Sequence, residues 1–308
     1  MAKVIVTGGA GFIGSHLVDS LVTTRHRVTV VDNLSVGKRE NIPAGVELIR
    51  EDIRSPRMKD VWRDVQPEVV FHLAAQKNLR TSVEQPLFDA DVNIAGSLNL
   101  LEQSRRFNTK RFIFASTAGV YPDTKRLPIH ETLAPQPVSP YGIGKYTIEQ
   151  YLRFFTENFG LSTISLRFAN AYGPRQDADG EAGVIALFFQ LVQAQQPLTI
   201  NGTGRQTRDF IYVSDLVRAS MAAMKLPRVT GEVNISTAKQ SSIVALASAI
   251  QKVSGQSRRP KHRRAITGEV TRSALSWSQA HKQLKWKPQV SLLEGLRQTW
   301  EWRKQHPS

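Results

Sequence analysis

The glycine-rich sequence GGAGFIG, residues 8–14, is the feature that most constrains how this chain folds. It follows a short β-branched run, residues 4–9, and precedes a stretch with helical apolar spacing, residues 15–24. Glycines at such a strand-to-helix turn allow a tight turn and let a pyrophosphate approach the backbone. The helix that follows offers free N–H groups and a partial positive charge to the phosphates. The sequence therefore predicts a turn that binds the pyrophosphate of a dinucleotide.

Asp32 indicates which dinucleotide this is. It ends the second apolar run and lies 21 residues beyond Gly11. A carboxylate at that place suits the 2′-hydroxyl of an adenosine ribose and repels a 2′-phosphate, so the pattern predicts NAD. Lys38 and Arg39 follow closely, and their positive charges leave NADP as an alternative.

Alternating strands and helices predict a parallel sheet. The apolar runs are near-continuous, which is typical of strands buried on both faces. The predicted strands are residues 4–9, 26–33, 67–75 and 110–117, and the predicted helices are 15–24, 86–106 and 140–160, the last of which is closed by Gly160. We therefore expect an α/β fold: a Rossmann-type doubly wound parallel sheet over about the first 170 residues, followed by a smaller α/β part.

Tyr141 and Lys145 are a candidate catalytic pair. They lie four residues apart at the start of a predicted helix and therefore share one face. A lysine ammonium beside a phenol favours the phenolate, so we expect Lys145 to lower the pKa of Tyr141. Thr117 ends a predicted strand, at the sheet edge where ligand sites of such folds assemble, and its hydroxyl is placed to relay a proton. A stiff loop with five prolines, residues 122–140, joins that strand to the helix.

The composition excludes several kinds of chemistry. The 308 residues contain no cysteine, which rules out disulfides, thiol nucleophiles and cysteine-ligated metals. The seven histidines have no metal-ligand spacing, so we expect no metal site. We find neither a cleavable leader pattern nor a run of about 18 apolar residues, and we expect a cytoplasmic protein that does not associate with membranes.

The formal net charge of the chain is +15, and it is unevenly distributed. Residues 251–308 hold thirteen Lys and Arg against three Asp and Glu, which is +10 of the total. The densest part is SRRPKHRR, residues 257–264, and it contains no aromatic side chain that could stack on a base. Two interpretations remain: a solvated basic surface, or a surface that attracts a charged substrate or a polyanion.

Several stretches make nearly the whole chain similar to one family. Among them are GGAGFIG (8–14), FHLAAQ (71–76), FASTAGVY (114–121), SPYGIGK (139–145) and TRDFIYVSDL (207–216). The sequence resembles the extended short-chain dehydrogenase/reductase family and, within it, the nucleotide-sugar 4-epimerases. The resemblance implies an NAD-binding Rossmann domain at 1–170, completed by about 209–238, and a sugar-nucleotide-binding domain formed by 171–208 and 239–308.

The resemblance also implies roles for individual residues. It makes Thr117, Tyr141 and Lys145 the catalytic residues. The implied cofactor residues are Gly8, Gly11, Phe12, Ile13, Asp32, Asn33, Asp52, Ile53, Leu73, Ala74, Ala75, Asn93, Tyr141, Lys145 and Phe168. The implied substrate residues are Thr117, Tyr141, Asn170, Val184, Arg208 and Ser273. The guanidinium of Arg208 suits a dianionic diphosphate because it binds such groups bidentately.

The activity that the resemblance implies is NAD-dependent interconversion of UDP-glucose and UDP-galactose by a UDP-sugar 4-epimerase that forms a homodimer and binds no nucleic acid. Family members that dehydrate or decarboxylate the sugar carry a carboxylate shortly after the threonine, whereas this chain has Ala118, Gly119 and Val120. Ser273 stands at the position that gates the C2 substituent of the sugar, and its small side chain predicts that UDP-GlcNAc and UDP-GalNAc are also accepted. Ile266 departs from the family pattern, because an arginine that holds the diphosphate or ribose is expected there. UDP-glucuronate 4-epimerase, sugar 4,6-dehydratase and a non-catalytic NAD- or RNA-binding relative remain as alternatives.

Overall fold

The computed structural model describes residues 1–177, 183–265 and 270–306. Its strands, in chain order, are β1 (Lys3–Thr7), β2 (Arg27–Val31), β3 (Glu47–Ile49), β4 (Val69–His72), β5 (Arg111–Thr117), β6 (Ser162–Phe168), β7 (Asn170–Tyr172), β8 (Thr199–Asn201), β9 (Thr207–Arg208), β10 (Phe210–Tyr212), β11 (Gly231–Ile235), β12 (Ser241–Ser242) and β13 (Lys261–Arg263).

The α-helices, in chain order, are α1 (Phe12–Thr23), α2 (Met58–Val65), α3 (Leu79–Glu84), α4 (Pro86–Ala90), α5 (Ser97–Arg106), α6 (Pro140–Phe159), α7 (Val184–Gln193), α8 (Val213–Lys225), α9 (Ile243–Ser254), α10 (Ser278–Leu284) and α11 (Leu292–Gln305). Two 3₁₀ turns cover Arg39–Asn41 and Ala118–Val120, and a π-helical stretch covers Asp91–Gly96.

Seven strands form one parallel sheet in the order β11–β6–β5–β4–β1–β2–β3. The chain builds outwards from β1 through β2 to β3, then crosses to β4 and builds in the opposite direction. In open α/β sheets a ligand crevice lies outside the carboxyl ends of the strands at such a reversal. The sheet confirms the Rossmann-type fold predicted from the sequence and places that crevice between the ends of β1 and β4.

Apolar side chains cover both faces of the sheet. Along β1, Val4 and Val6 belong to a buried cluster that also contains Leu17 of α1. Ile5, which points to the opposite face, belongs to a second cluster with Trp62 of α2. Because both faces are covered, every position of the strand favours an apolar residue, which explains the near-continuous apolar runs.

The chain after β6 contributes three small two-stranded sheets. They pair β7 with β10 in parallel, β9 with β12 antiparallel, and β8 with β13 in parallel. A third core, which includes Phe188 of α7, Leu246 of α9 and Leu296 of α11, supports this smaller part. Phe12 and Ile13 at the start of α1 pack against the same core. The helix that follows the glycine-rich turn therefore packs against the sheet core and against the third core.

Helical backbone covers the whole of the predicted range 86–106, but it is not α-helical throughout. It divides into α4, the π-helical stretch and α5, and π-helical stretches are rare and often occur at functional sites. The predicted end of α6 is confirmed, since Gly160 has a φ of 68° and caps the helix. The sequence reading did not include β3, α2 and α3, which are short. In the described part of the chain, no helix has the length and apolarity needed to span a membrane.

Candidate active site

The turn between β1 and α1 has the geometry of an anion-binding loop. Gly8 adopts a φ of 71°, and a Cβ there would lie 2.6 Å from the backbone nitrogen of Ala74. A Cβ on Gly14 would overlap the carbonyl of Gly8. Helix α1 begins after Gly11 without a side-chain cap. Its first N–H groups are therefore available to phosphate oxygens, which fits the diphosphate of a dinucleotide.

The structure brings three predicted adenosine-side residues together at the ends of β2 and β3. The buried carboxylate of Asp32 accepts hydrogen bonds from the backbone N–H of Ala10 and of Leu34, each at 2.9 Å. Next to it, the Asn33 amide donates to Asp52 at 3.0 Å. Asp52 also receives a bidentate pair from Arg54, at 2.8 and 2.9 Å, and these bonds hold the pKa of the carboxyl below its usual range. Both carboxylates are thus held in place by hydrogen bonds, and that of Asp52 is ionised at neutral pH.

Residues 73–75 and Ile53 complete this side of the crevice. Leu73, Ala74 and Ala75 follow β4, and the Leu73 N–H donates to the Thr7 carbonyl at 3.1 Å. Ile53 is buried in the core between the sheet and α5. That these residues form the walls of a nicotinamide and an adenine pocket stays a prediction; they offer backbone groups and apolar side chains there.

Asn93 lies in the π-helical stretch and closes the loop after β4. Its amide donates to the Gln76 carbonyl at 2.9 Å, and its Oδ1 accepts the Gln76 N–H at 2.9 Å. Asp89 accepts from both residues, from Gln76 Nε2 at 2.8 Å and from Asn93 Nδ2 at 3.0 Å. The sequence reading missed Gln76 and the fully buried Asp89. The apolar helical pattern gave no sign that a carboxylate points inwards there.

The three predicted catalytic residues meet at the carboxyl end of β5. Ser139 caps α6 through a 3.1 Å bond from the Gly142 N–H, and this places Tyr141 in the first turn of the helix. The phenol of Tyr141 is in polar contact with the Thr117 hydroxyl, which favours its ionised form. Lys145 Nζ donates to the Ala115 carbonyl at 2.9 Å and lies 5.8 Å from the centroid of the Tyr141 ring.

The expectation that Lys145 lowers the pKa of Tyr141 is wrong. The pKa of Tyr141 is raised to about 12, first because burial disfavours the phenolate and second because Asp89 repels it. The hydrogen bond from Thr117 opposes this rise. Burial lowers the pKa of Lys145 to about 8, against the opposing effects of the Asp89 and Glu149 carboxylates. The ammonium contacts a carbonyl oxygen and the Phe114 ring rather than the phenol oxygen.

Glu149 is a second residue that the sequence reading missed. It lies on α6 one turn beyond Lys145, and its carboxylate is 1% exposed. Ser116 Oγ donates to it at 2.5 Å, and Arg167 of β6 binds it through Nε at 2.9 Å and Nη2 at 2.6 Å. The spacing Tyr-x-x-x-Lys-x-x-x-Glu is visible in the sequence and could have identified Glu149.

Three of the predicted substrate residues lie at the segment 207–209: Arg208 belongs to it, and Asn170 and Ser273 are hydrogen-bonded to it. Phe168, which is predicted as a cofactor residue, ends β6 opposite Thr117 in the strand register and is buried. The Asn170 amide donates to the Asp209 carbonyl at 3.2 Å. Arg208 Nη1 donates to the Val270 carbonyl at 2.7 Å.

Ser273 lies beside the same segment, because its N–H donates to the Thr207 carbonyl at 3.2 Å. Val184, the first residue of α7, is partly buried. Ile266 lies outside the described residues. Arg263 and Arg264, which precede it, are exposed.

The fold and this site define a dinucleotide-binding α/β enzyme. Residues 4–236 match the profile of the NAD dependent epimerase/dehydratase family, and the chain belongs to that family. Its cofactor is therefore NAD, as the glycine-rich turn and Asp32 predict.

Three similar proteins cover almost the full chain. A putative UDP-glucose 4-epimerase of Methanocaldococcus jannaschii is 39% identical over 302 residues, which are 98% of each chain. The UDP-glucose 4-epimerase of Thermotoga maritima, solved with UDP-glucose, has 42% identity, a TM-score of 0.96 and 99% coverage of both chains. The UDP-N-acetylglucosamine 4-epimerase of Methanobrevibacter ruminantium has 34% identity and a TM-score of 0.94, over 99% of this chain and 98% of its own. These findings confirm the nucleotide-sugar 4-epimerase resemblance.

Proposed function

We propose that this protein is a UDP-sugar 4-epimerase that interconverts UDP-glucose and UDP-galactose through a 4-keto intermediate, with Thr117, Tyr141 and Lys145 as its catalytic residues. The observation that carries the proposal is that Thr117, Tyr141 and Lys145 meet at the carboxyl edge of the sheet that also holds the glycine-rich turn. The identities of 39% and 42% to UDP-glucose 4-epimerases support the same substrate.

Bound NAD supplies an acceptor for the C4 hydride and returns it. Tyr141 takes the proton of the C4 hydroxyl, directly or through Thr117. The Thr117 oxygen accepts the Gly119 N–H at 3.1 Å, so its own hydrogen is free to be donated to Tyr141. With a pKa of about 12, Tyr141 is protonated at neutral pH. The phenolate therefore has to be favoured by positive charge, and Lys145 supplies an ammonium 5.8 Å from the ring centroid.

The segment after Thr117 favours epimerisation over dehydration. Ala118, Gly119 and Val120 form a 3₁₀ turn, with Thr117 as its cap. None of the three carries a carboxylate that could remove a proton next to the 4-keto group. Asp89, a carboxylate near Tyr141, is held by Gln76 and Asn93 and is fully buried.

The C2 substituent of the sugar is a separate part of the proposal, because similar structures include an enzyme of UDP-N-acetylglucosamine. Ser273 is bonded through its N–H to Thr207, the neighbour of Arg208, and its side chain is small and partly exposed. We propose that it leaves room for an N-acetyl group at C2. UDP-glucuronate and UDP-galacturonate are the second candidate pair.

The test is a set of coupled assays with UDP-galactose, UDP-GalNAc and UDP-galacturonate, run side by side on the same NAD-loaded preparation. The proposal expects turnover of UDP-galactose, and turnover of UDP-GalNAc within 10³-fold in kcat/KM. A preference for UDP-galacturonate would reassign the substrate. Release of water and formation of a 4-keto-6-deoxy sugar would reassign the reaction.

We also propose that the chain forms a homodimer through α3, α4 and α6. Helices α3 and α4 pack against α6, and large apolar side chains on these helices remain exposed. They are Leu79, Val83, Leu87, Phe88, Ile143, Tyr151, Phe154 and Phe159, with exposed fractions from 39 to 86%. A surface of this kind, built from helices in mutual contact, fits a second copy of the same face.

The oligomeric state can be tested by light scattering after size exclusion. The Leu87→Glu variant should shift the mass from two chains towards one, because Leu87 is 86% exposed and a charge there disfavours burial in an interface. Val244→Glu on α9, at a side chain that is 41% exposed, is the matched control and should leave the mass unchanged. A wild-type protein of single-chain mass would reject the dimer.

A further inference from the structure

Three residues of α6 form one stripe against the end of β5. Tyr141, Lys145 and Glu149 are spaced four apart and share a face of the helix. Tyr141 contacts the Thr117 hydroxyl. Lys145 donates to the Ala115 carbonyl, and Glu149 accepts from the Ser116 hydroxyl. The last three residues of β5 are therefore each held by one member of the stripe. The first two members are the proposed catalytic pair, and the third has no role in the proposed reaction.

The Glu149 carboxylate is buried and fully bonded. Its Oε1 accepts from Ser116 at 2.5 Å and from Arg167 Nε at 2.9 Å, and its Oε2 accepts from Arg167 Nη2 at 2.6 Å. The Arg167 side chain is 3% exposed. A buried ion pair is weak evidence for stability, because apolar residues of the same volume often replace one without loss. A contribution to the free energy of unfolding therefore does not by itself account for this ion pair beside the site.

The pair continues into the proline-rich loop. Arg167 Nη1 donates to the Tyr121 hydroxyl at 2.8 Å, and Tyr121 donates to Asn234 Oδ1 at 2.9 Å. Asn234 in turn binds the Ile129 carbonyl at 3.1 Å and donates its N–H to Glu131 at 2.8 Å. Glu149 is thus the end of this network that reaches the catalytic stripe, and Glu131 is a carboxylate at its far end.

Lys145 needs a counter-charge on its own side of the site. The groups that face it are Asp89 of α4, Glu149 and Tyr141 of α6, and His72 of β4. Tyr141 is neutral at pH 7, and so is His72, whose pKa is about 3 because it is buried. Arg167 approaches the Glu149 carboxylate from β6. Asp89 and Glu149 are therefore the negative charges that oppose the desolvation of the Lys145 ammonium.

We propose that Glu149 is a positioning residue: its carboxylate, fixed by Arg167 and Ser116, holds α6 against β5 and supplies the counter-charge of Lys145. This inference rests on the proposed function for its catalytic meaning. The effect of Glu149 on the pKa of Lys145 can be measured without turnover. Glu149 does not touch the substrate in this scheme and acts only through Lys145.

The experiment is an NMR pH titration of the Lys145 Cε–Hε signal in protein labelled with ¹³C-lysine, assigned with the Lys145→Arg variant. The wild-type signal should titrate near the pKa of about 8. In Glu149→Gln, whose amide keeps an acceptor for Ser116 and Arg167, we expect the titration to move down by about one pH unit because a negative charge is lost. Glu131→Gln makes the same change at the far end of the network and should leave the midpoint within about 0.2 unit of the wild type.

The pH profile of kcat provides the second readout. If Lys145 acts as an ammonium, the alkaline limb of kcat moves down in Glu149→Gln by the same amount as the NMR midpoint. An unchanged midpoint in Glu149→Gln overturns the proposal, as does a uniform loss of kcat with an unmoved limb, which indicates a structural role alone.

A second variant serves if Glu149→Gln does not fold. Ser116→Ala removes the bond to β5 and keeps the charge, so kcat should fall about tenfold with the NMR midpoint unmoved. Wild-type kcat in Ser116→Ala would overturn the positioning role. Absence of wild-type activity on every UDP-sugar would reject the proposed function and leave the NMR result for Glu149 standing.

Discussion

The Thr117 hydroxyl and the Tyr141 phenol are in polar contact between β5 and α6, and this contact favours the phenolate. The Thr117 oxygen also accepts the Gly119 N–H at 3.1 Å, and this bond leaves the hydroxyl hydrogen of Thr117 unused. Thr117 is the last residue of β5, and Tyr141 lies in the first turn of α6, which follows the proline-rich loop. The contact therefore depends on how the proline-rich loop places the first turn of α6 against the end of β5.

Loss of either hydroxyl should reduce turnover without unfolding the protein. Tyr141→Phe removes the proposed base and should lower kcat by at least about 10³-fold, whereas Thr117→Val removes a relay and should cost about 10²-fold. Thermal denaturation checks that both variants fold, and a coupled assay on UDP-galactose measures the rates. The Thr124→Val variant, at a loop hydroxyl, is the control and should keep wild-type kcat. Tyr141→Phe with wild-type kcat would remove Tyr141 from the mechanism.

Asp32 should set the preference for NAD over NADP. Its two oxygens are held by the N–H groups of Ala10 and Leu34, so the carboxylate is fixed in position and would meet a 2′-phosphate with its negative charge. Asp32→Asn should weaken NAD binding by about 10- to 100-fold, because a hydrogen bond to a charged group is lost, and should reduce the discrimination against NADP.

Fluorescence titration of the cofactor-free protein with each dinucleotide measures this preference. Lys38→Ala is the companion variant, and it should leave NAD affinity unchanged. NAD binding to Asp32→Asn as tight as to the wild type would place the ribose elsewhere.

The parts of the structure that follow from local pattern were predictable. The glycine-rich turn and the apolar runs depend on neighbours in sequence, and so does the end of α6 at Gly160. The signs of electrostatic effects were not predictable in the same way. The spacing of Tyr141 and Lys145 places them on one face of a helix, yet the pKa of Tyr141 depends on burial and on Asp89, which arrives from another helix.

The same reason explains the missed residues. Asp89 and Glu149 are acidic positions on helices, which usually face solvent. Here Gln76, Asn93, Ser116 and Arg167 arrive from other elements to bind them. The π-helical stretch was also hidden, because apolar spacing does not distinguish one continuous helix from a helix with an inserted wider turn.

His72 should make the protein less stable in mild acid. The imidazole is fully buried between the Thr7 hydroxyl and the Ser97 hydroxyl, each at 2.8 Å, and burial lowers its pKa to about 3. Ser97 donates its own hydrogen to the Asn93 carbonyl at 2.7 Å, so His72 donates from Nε2 and accepts at Nδ1. Below pH 6.5 the unfolded state binds a proton that the folded state does not, and the folded state loses stability until the pH approaches 3.

The expected size is about 2 kcal/mol of unfolding free energy lost between pH 7 and pH 5 through this one group. Asp209 acts in the opposite direction, because burial raises the pKa of its carboxyl to about 6. The comparison is therefore made with His72→Gln, which keeps the Asp209 effect and removes the imidazole. Urea unfolding at the two pH values should show a smaller acid loss in the variant, even if its stability at pH 7 is lower. Equal losses in the two proteins would mean that His72 is charged in the folded state.

The basic strand β13 and its flanks should aid capture of an anionic substrate. Arg258, Arg259, Lys261, Arg263 and Arg264 are exposed, and β13 pairs with β8, whose chain continues through Gly202 to Arg208. Positive charge beside a diphosphate site raises the local concentration of an anion, and salt screens this effect over about 10 Å at 0.1 M. Arg258→Gln/Arg259→Gln should therefore raise KM for the UDP-sugar several-fold at low ionic strength, with kcat unchanged and the difference lost at 0.5 M salt.

Arg57→Gln/Arg63→Gln is the matched control, since it removes two exposed positive charges from α2 and its N-cap, beside the opposite edge of the sheet. Its KM should equal that of the wild type at each salt concentration. A KM of Arg258→Gln/Arg259→Gln that does not depend on salt would contradict capture by charge. If KM is unaffected and the wild-type protein instead retards a nucleic-acid probe in a steeply salt-dependent manner, the basic segment binds a polyanion and not the substrate.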